Sequence, residues 1–459
     1  MSAQGLQQSV DKMRAAGQAE ESINAFTHYY RLLEEGYQGT IAEDEIEPVE
    51  GLDALADLHF SDEQLKDAIA KTVVIKLNGG LGTSMGITGP KAALPVMEGL
   101  TFLDVIAKQV LAIREQYSVE LPLVLMHSFR TRDESLQILA KYPDLAVDGL
   151  DLDFLQNAEP KLTADALEPV EWAANPDLEW CPPGHGDLFV AMQASGVLKA
   201  MRDKGLKYAF ISNSDNLGAV PDARVAAWMA ASGVPFGMEV CRRTRSDRKG
   251  GHIARRKADG RLVLRDTAMV VEGEEDQFQD ISKHTLFNTN NLWIDLDALA
   301  EILDANGGVM GLPMIVNHKT VDPADKKSTK VIQIETGMGT GIEVFEGADA
   351  VVVERDRFKP VKTTNDLLVL RSDFYELDLA GRLVASRSGD EPFVDLDGDH
   401  YKVLAQFDER FPQGAPSLTA CNSLKVIGDV TFGERVVCTG DVLIEAQTPT
   451  FVEDGAVLS

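Results

Sequence analysis

Apolar residues recur at helical spacing near the start of the chain. In segment 20–35 they lie three or four positions apart, and Gly36 follows. This spacing predicts an amphipathic helix that ends at a glycine. Ser61, with Gln64 three residues later, predicts a capping box that opens a further helix. We therefore expect an N-terminal helical region over residues 1–70.

Beyond this region the pattern changes to short apolar runs rich in branched residues, which are typical of buried strands. The runs are 72–77, 121–126, 208–212, 234–240, 330–334 and 350–353. Segments 102–116 and 188–203 between them have a helical pattern. Strands that alternate with helices predict an α/β fold with a mostly parallel sheet covered on both faces. Ligands of such sheets bind at the carboxyl ends of the strands.

The C-terminal segment has two columns of apolar residues with a period of six. The columns are Val426, Phe432, Cys438 and Ile444, and Val430, Val436 and Val442, with Gly428, Gly433 and Gly440 between them. This period is typical of a hexapeptide β-helix, and an ordinary β-meander is the alternative.

The composition limits the kinds of function that this chain could have. The 459 residues include 44 Lys and Arg against 73 Asp and Glu, which gives a formal net charge of −29. Such an acidic chain disfavours broad binding to nucleic acid or to anionic membranes, so a phosphate site must be a local basic exception. The four cysteines form no CxxC pair, and the sequence has neither a signal peptide nor a long uncharged apolar run. We therefore expect a cytoplasmic protein without nucleic-acid or membrane partners.

A glycine-rich loop follows the strand predicted at 72–77. It runs from Asn78 to Gly86, and the pair Pro90-Lys91 comes shortly after it. Glycines let backbone N–H groups approach an anion closely, so this loop predicts a phosphate site with Lys91 beside it. Its spacing fits neither a Walker A loop nor a GxGxxG fingerprint. A purely structural glycine turn is the alternative.

Polar residues also follow the strand predicted at 208–212. Asp215 at this strand end would be a natural Mg²⁺ ligand close to phosphates, and an Asx turn is the simpler interpretation. His185 lies between two glycines in the run Pro-Pro-Gly-His-Gly-Asp, so it either faces a ligand or is structural.

Two further segments have side chains that suit a sugar phosphate. The asparagines of segment 287–293 suit sugar hydroxyls, although such clusters also form ordinary turns. The basic residues of segment 357–367 stand out in an acidic chain. They form either a local phosphate site or a solvated charged surface.

Six motifs, in order, resemble the UTP–glucose-1-phosphate uridylyltransferase (UDP-glucose pyrophosphorylase) family of eukaryotic type. They are LNGGLGTSMGxxGPK, PPGHGD, SNxDNLG, KGG, FNTNNLW and FxPVKxTxDLL. The resemblance implies a mixed, mostly parallel Rossmann-like nucleotidyltransferase sheet with helices on both faces, plus a short C-terminal left-handed β-helix. We accordingly expect a catalytic domain at 71–375, a linker region at 376–419 and the β-helix domain at 420–459.

The resemblance also implies roles for single residues. The nucleotide-binding positions are Leu77, Asn78, Gly79, Gly80, Gln156, Gly184 and Asp215, and the sugar-phosphate positions are His185, Asn213, Glu239 and Asn290. Lys91 and Lys362 match the catalytic lysines, and Asp215 matches the Mg²⁺ contact. Gln156 matches the glutamine that reads uracil, because one amide both donates and accepts on a pyrimidine edge.

The implied reaction is an in-line attack of glucose 1-phosphate on the α-phosphorus of UTP, which releases pyrophosphate reversibly and needs Mg²⁺ but no protein nucleophile. The chain departs from the family at His127, where many relatives have Asn, and at segment 157–159. Because it ends soon after the hexapeptide repeats, we expect a homodimer through the C-terminal β-helix. Transfer to galactose 1-phosphate or N-acetylglucosamine 1-phosphate, or a catalytically silent sugar-nucleotide sensor, are the alternatives.

Overall fold

A computed structural model describes residues 2–244 and 247–459. The helices are α1 (Ser2–Ala15), α2 (Glu20–Glu34), α3 (Asp62–Ala70), α4 (Phe102–Tyr117), α5 (Arg132–Leu139), α6 (Asp187–Ala194), α7 (Val197–Asp203), α8 (Ala223–Ser232), α9 (Glu275–Phe278), α10 (Leu296–Ala305), α11 (Thr364–Arg371), α12 (Gly398–Tyr401) and α13 (Leu404–Arg410). None of the helices in these two ranges is long and apolar enough to span a membrane.

The strands of the first half are β1 (Ile46–Glu47), β2 (Asp53–Ala54), β3 (Thr72–Asn78), β4 (Pro95–Met97), β5 (Leu100–Thr101), β6 (Leu123–His127), β7 (Asp153–Leu155), β8 (Glu159–Pro160), β9 (Leu162–Thr163), β10 (Trp180–Cys181), β11 (Tyr208–Asn213) and β12 (Phe236–Arg242). Those that follow are β13 (His252–Arg256), β14 (Leu262–Arg265), β15 (Leu286–Asp295), β16 (Met314–Thr320), β17 (Lys330–Thr336), β18 (Asp349–Val352), β19 (Tyr375–Leu377), β20 (Leu383–Ala385), β21 (Phe393–Leu396), β22 (Ser417–Ile427), β23 (Val430–Phe432), β24 (Val437–Glu445), β25 (Thr450–Val452) and β26 (Val457–Leu458).

The central sheet has the strand order β2-β18-β12-β15-β11-β3-β6-β7. Strand β15 runs antiparallel to both of its neighbours, β11 and β12. The other adjacent strands on this path are parallel to each other. The predicted α/β fold is therefore confirmed, with a large mixed sheet at its centre.

Strand β3 shows why helices cover both faces of this sheet. Val74 packs into one hydrophobic cluster, whereas Val73 and Ile75 pack into a second. Successive side chains of a strand point to opposite faces, so both faces of β3 are apolar and must be covered. Helices α4 and α8 contribute to the first cluster, and α6 and α10 contribute to the second.

The carboxyl ends of four parallel strands meet at one edge of the sheet. Asn213 of β11 lies beside Leu77 of β3, and Asn78 of β3 lies beside His127 of β6. His127 in turn lies beside Leu155 of β7. The loops that leave these strands therefore bring segments far apart in the sequence to one place, where ligands of α/β sheets bind.

Several local predictions are confirmed, and two are corrected. Helix α2 agrees with the first predicted helix, and Ser61 and Gln64 form the capping box of α3. The helix predicted at 188–203 is in fact two helices, because Gly196 between them has a left-handed backbone with φ of 79°. The run at 330–334 lies in β17, which belongs to a separate antiparallel sheet with β9 and β16.

The C-terminal strands pair in parallel and form two sheets. Strands β21, β22, β24 and β26 form one sheet, and β23 pairs with β25. Leu424 lies beside Val442, three of the six-residue repeats further along the chain. Both predicted columns are buried, apart from the partly buried Ile444. Strand β21, which lies in the segment expected to be a linker, is part of the four-stranded sheet.

Candidate active site

Asp215, in the loop after β11, is at the centre of the site. Its Oδ2 accepts a hydrogen bond from Lys91 Nζ at 2.6 Å, and the two side chains are only 21% and 17% exposed. The other oxygen, Oδ1, is buried and has no hydrogen-bond partner within the described ranges. Lys91 follows the glycine loop, and its backbone N–H donates to the Gly80 carbonyl at 3.1 Å. The fold thus joins two predicted site residues, 124 positions apart, in one charged pair.

This aspartate fits a single Mg²⁺ ion. A buried carboxylate oxygen without a partner is a hard ligand, of the kind that magnesium prefers. Among the described residues no group of three or more His, Cys, Asp and Glu side chains could hold a metal. An ion at Asp215 would therefore take its remaining ligands from phosphate oxygens and water, which is how magnesium usually binds beside nucleotides.

The segment that carries Lys362 is held against the Asp215 loop by backbone hydrogen bonds of its neighbours. The N–H of Val361 donates to the Asp215 carbonyl at 3.1 Å, and the N–H of Lys359 donates to Asn216 Oδ1 at 2.8 Å. The side chain of Lys362 is exposed and has no ion-pair partner in the part of the chain that the structure describes. Lys359, by contrast, pairs with Glu391. The basic segment is therefore a structured part of the site, and Lys362 is its unpaired cation.

Glu239 lies behind the site in a buried ion pair with Arg357. Their contacts are 2.5 Å to Oε1 and 2.7 Å to Oε2. The Asn291 and Trp293 side chains donate to the same carboxylate at 3.0 and 2.9 Å. The four bonds use the acceptor positions of a carboxylate, and Glu239 is fully buried. We therefore correct the predicted sugar contact: in this structure Glu239 is held by protein donors and supports the strand that carries Asn290.

Lys76 is a buried cation that the sequence reading missed. It lies in β3, and its Nζ donates to Ser212 Oγ and to the Ala219 carbonyl, both at 2.7 Å. These bonds hold both ends of the loop that carries Asp215. Burial, and then the nearby charge of Arg357, lower the pKa of Lys76 to about 7. The signal that could have found it is one lysine inside an otherwise apolar strand.

Asn213 and Asn290 meet at the end of β11. The Asn290 amide donates to Asn213 Oδ1 at 3.2 Å, and the Asn290 backbone N–H donates to Asn288 Oδ1 at 2.8 Å. Asn290 has a left-handed backbone with φ of 63°, which asparagine tolerates better than most residues. The asparagine segment is thus part of strand β15 and presents an amide group to Asn213, two residues before Asp215.

Gly184 and His185 lie on a loop that is fixed by the end of β17. A Cβ at Gly184 would lie 2.5 Å from the Thr336 carbonyl oxygen, and φ at Gly184 is 81°, so glycine is required. His185 Nδ1 accepts the N–H of Met338 at 3.0 Å. The ring keeps exposed surface, yet desolvation by the surrounding protein lowers its pKa. The neutral ring therefore has its proton on Nε2, available as a donor.

The glycine loop and Gln156 lie side by side. A Cβ at Gly79 would lie 2.8 Å from Gln156 Oε1, whereas a Cβ at Gly80 would meet nothing within 4 Å. The Gln156 backbone N–H donates to the His127 carbonyl at 2.8 Å. Its side-chain amide makes no hydrogen bond to any described residue, so it is available to a ligand.

Leu77 and Asn78 contribute differently from each other. The Leu77 carbonyl accepts the N–H of Ser214 at 3.1 Å, which ties β3 to the Asp215 loop. The Asn78 amide is buried, donates to Ser135 Oγ at 2.9 Å and lies 3.2 Å from His127 Nδ1. Burial lowers the pKa of His127 to about 4, so this histidine is neutral and structural. The amide nitrogen of Asn78 is therefore occupied by protein partners.

The fold and the site together define the class of protein. Lys91 pairs with Asp215 at the carboxyl end of a sheet, next to a glycine loop. The segment that carries Lys362 is bonded to the Asp215 backbone through Val361. Cations in such positions neutralise phosphates while two polyanions are brought together. These are the requirements of a nucleotidyltransferase.

Comparison with known proteins identifies the family. The family model described as UTP–glucose-1-phosphate uridylyltransferase matches residues 23–439, and the chain belongs to this family. The enzyme of that name from Solanum tuberosum is 39% identical over 413 residues, which cover 89% of this chain and 84% of the relative. The one from Saccharomyces cerevisiae is 36% identical over 436 residues, which cover 94% and 85%.

Solved structures agree with this assignment. A mutant UDP-glucose pyrophosphorylase from Leishmania major in complex with UDP-glucose superposes with a TM-score of 0.93, at 44% identity, covering 99% of this chain and 98% of that one. A UDP-glucose phosphorylase from Trypanosoma brucei superposes with a TM-score of 0.90, at 44% identity and with the same coverage.

Proposed function

We propose that this enzyme forms UDP-glucose and pyrophosphate from UTP and glucose 1-phosphate, and that the reaction is reversible. The observation that carries the proposal is the Lys91–Asp215 pair with its unpartnered carboxylate oxygen, next to the glycine loop and Lys362. Relatives that cover most of this chain have the corresponding name, and one solved relative is a complex with UDP-glucose. The exchange of one phosphoanhydride for another accounts for reversibility.

The chemistry follows from positioning and charge. An oxygen of the glucose 1-phosphate group attacks the α-phosphorus of UTP, and pyrophosphate leaves in line, so no protein nucleophile is required. Lys91 stabilises the departing pyrophosphate, and Lys362 offsets negative charge around the attacked phosphate. Asp215 would hold Mg²⁺, which supplies further neutralisation of phosphate oxygens.

Recognition of the two substrates is assigned to two sets of residues around this centre. Leu77, Asn78, Gly79, Gly80 and Gly184 form the nucleotide side through their backbones. Gln156 reads the uracil edge, and its free amide supports this role. The sugar phosphate meets His185, Asn213 and Asn290. The Asn290 amide donates to Asn213, and His185 Nδ1 accepts the N–H of Met338, which leaves Nε2 as a donor.

The test is a pyrophosphate-release assay over a panel of nucleoside triphosphates and sugar 1-phosphates. We expect rapid release only with UTP and glucose 1-phosphate, loss of activity in excess EDTA, and recovery when Mg²⁺ is restored. Full activity in EDTA would contradict the metal assignment. A preference for galactose 1-phosphate or N-acetylglucosamine 1-phosphate would support the rival sugar. Saturable UDP-glucose binding without turnover would indicate a silent sensor.

For assembly, we propose a left-handed β-helix domain at 420–459 that forms a homodimer. The parallel stacking of β22 on β24, and of β24 on β26, supports the β-helix. Exposed apolar side chains on these coils, at Leu443, Phe451 and Val457, support a contact surface. Light scattering should show a dimer that Phe451→Asp converts to an active monomer. A monomeric wild-type protein would refute the dimer.

The remaining assignments are also proposals. We keep a helical region at 1–70, a catalytic domain at 71–375 and a linker region at 376–419, although β21 within the linker pairs with β22. A cytoplasmic location is supported by the four cysteines, which are buried thiols among the described residues. Limited proteolysis tests the boundaries, since cleavage should concentrate in exposed segments between the units.

A further inference from the structure

The carboxylate of Asp187 accepts two hydrogen bonds from Asn157, the residue that follows Gln156. Asp187 is the first residue of α6 and is 5% exposed. Its Oδ2 accepts the backbone N–H of Asn157, and its Oδ1 accepts the Asn157 side-chain amide, both at 2.7 Å. Two charge-assisted bonds from one buried carboxylate to one residue fix both the backbone and the side chain of that residue.

The neighbouring backbone groups are fixed as well. The N–H of Gln156 donates to the His127 carbonyl at 2.8 Å. The N–H of Ala158 donates to Gln18 Oε1, in the turn between α1 and α2, at 3.2 Å. Three successive backbone N–H groups are thus held by β6, by α6 and by the turn between the two N-terminal helices. The side-chain amide of Gln156 is left free in the described part of the chain.

This arrangement matters because a hydrogen bond to a base tolerates only small displacements. Donor–acceptor distances of about 2.7–3.2 Å with near-linear geometry are required, and the bond weakens steeply outside that range. A glutamine that recognises a base must be positioned through its backbone, since its side-chain amide has to face the ligand. The backbone position of residues 156–158 therefore decides whether that amide can reach a pyrimidine edge.

We propose that Asp187 is a positioning residue: it fixes the backbone next to Gln156 so that the Gln156 amide can reach the base. The inference rests on the proposed function, in which Gln156 reads uracil. The motif Pro-Pro-Gly-His-Gly-Asp then serves both substrates, since His185 faces the sugar-phosphate side while Asp187 fixes the base reader. The N-terminal helices act on the same loop through Gln18.

A purely structural role for Asp187 makes a different prediction. A carboxylate in the first turn also stabilises a helix N-terminus, and its loss would disturb α6 and the nearby His185. That disturbance would lower activity with every nucleotide equally. A positioning role instead changes the ratio of activities with UTP and CTP.

The test is a double-mutant cycle of Asp187→Ala and Gln156→Ala, with kcat/KM measured for UTP and CTP. We expect Gln156→Ala to lower the UTP/CTP ratio about 10-fold or more, as for loss of a specific hydrogen bond. Asp187→Ala should lower it several-fold, mainly by raising the KM for UTP. In the double variant Asp187→Ala should cause no further loss, because both changes remove the same interaction. Asp187→Asn, which keeps one acceptor and the side-chain volume, should retain an intermediate ratio.

The matched control is Asp295→Ala. Asp295 also accepts two backbone N–H groups at the start of a helix, at 2.9 and 3.2 Å. It lies opposite Tyr208, at the far end of β11 from the site. This variant should lower the melting temperature but leave the UTP/CTP ratio unchanged.

Three results would overturn the proposal. An unchanged ratio in Asp187→Ala, equal losses for UTP and CTP, or additive effects in the double variant would each assign Asp187 a structural role. If Gln156→Ala itself leaves the ratio unchanged while the wild-type enzyme forms UDP-glucose, this proposal and the uracil assignment both fail but the reaction stands. If the wild-type enzyme forms no UDP-glucose, the proposed function itself fails.

Discussion

Removal of the Lys91 charge is the sharpest test of how the site works. Lys91→Met keeps most of the side-chain length and removes the ammonium that lies 2.6 Å from Asp215. At an effective dielectric constant of about 20, two unit charges at this distance attract by about 6 kcal/mol before desolvation is subtracted. The ammonium is therefore held firmly in place before substrate binds. A preorganised cation of this kind stabilises developing charge without reorganisation during the reaction.

We expect Lys91→Met to lower kcat by about 10²- to 10³-fold, which corresponds to about 3–4 kcal/mol of transition-state stabilisation. The Mg²⁺ concentration for half-maximal activity should fall, because the carboxylate is no longer occupied by an ammonium. The assay is steady-state pyrophosphate release at saturating substrates with a Mg²⁺ titration.

The control is Lys71→Met, which removes an exposed lysine paired with Asp67 four residues earlier. Such a surface pair contributes at most about 1 kcal/mol, so kcat should be unchanged. A kcat for Lys91→Met within 10-fold of wild type would refute the catalytic role. A higher Mg²⁺ requirement would refute the exchange of ammonium for metal at Asp215.

Three further outcomes are expected. Glu239→Gln leaves the Arg357 charge buried without its partner, so it should lower the free energy of unfolding by about 3–5 kcal/mol. Adding Arg357→Met should recover part of this loss, because it removes the unpaired charge. Thermal denaturation of the wild type and the two variants measures the loss and the recovery, and no recovery would contradict the account of a buried charge pair. Burial lowers the pKa of Lys76 from 10.5 to about 7, so between these pH values the unfolded chain binds more protons at Lys76 than the folded protein does. The free energy of unfolding should therefore rise with pH in this window, and Lys76→Met should flatten the rise. If the melting temperatures of the two proteins changed in parallel with pH, this explanation would be refuted. Gly79→Ala places a Cβ 2.8 Å from Gln156 Oε1 and should displace that flexible amide. The KM for UTP should then rise several-fold more than the KM for glucose 1-phosphate. Equal changes in the two KM values would argue against Gln156 as the residue that recognises the base.

Local patterns in the sequence determined most of the elements and the identity of the family. The capping box at Ser61 and Gln64, the buried strand before the glycine loop and the period-six columns all depend on residues close together in the chain. Such patterns follow from helix and strand geometry, so one sequence is enough to predict them. The motifs likewise pointed to Lys91, Asp215 and Lys362 before any geometry was known.

The partners of charged and amide side chains were decided by the tertiary structure. Glu239 looked suited to a sugar hydroxyl, yet β12 and β15 place it against Arg357 and Trp293. Lys76 attracted no prediction from the sequence, yet it holds the Asp215 loop. In both cases burial and a partner more than fifty residues away decide the role, and neither is encoded in local periodicity.

The same distinction applies to the base-reading loop. The sequence pointed to Gln156 through the resemblance, but only the fold brings Asp187, Gln18 and the end of β6 to the three backbone groups around it. Helix and strand preferences act between near neighbours, whereas the contacts that fix a site join segments brought together by the packing of the sheet and its helices. The sequence by itself therefore determined which residue types reach the carboxyl ends of the strands. Which of them meet there, and at what distance, depends on buried contacts that form only when the whole chain has folded.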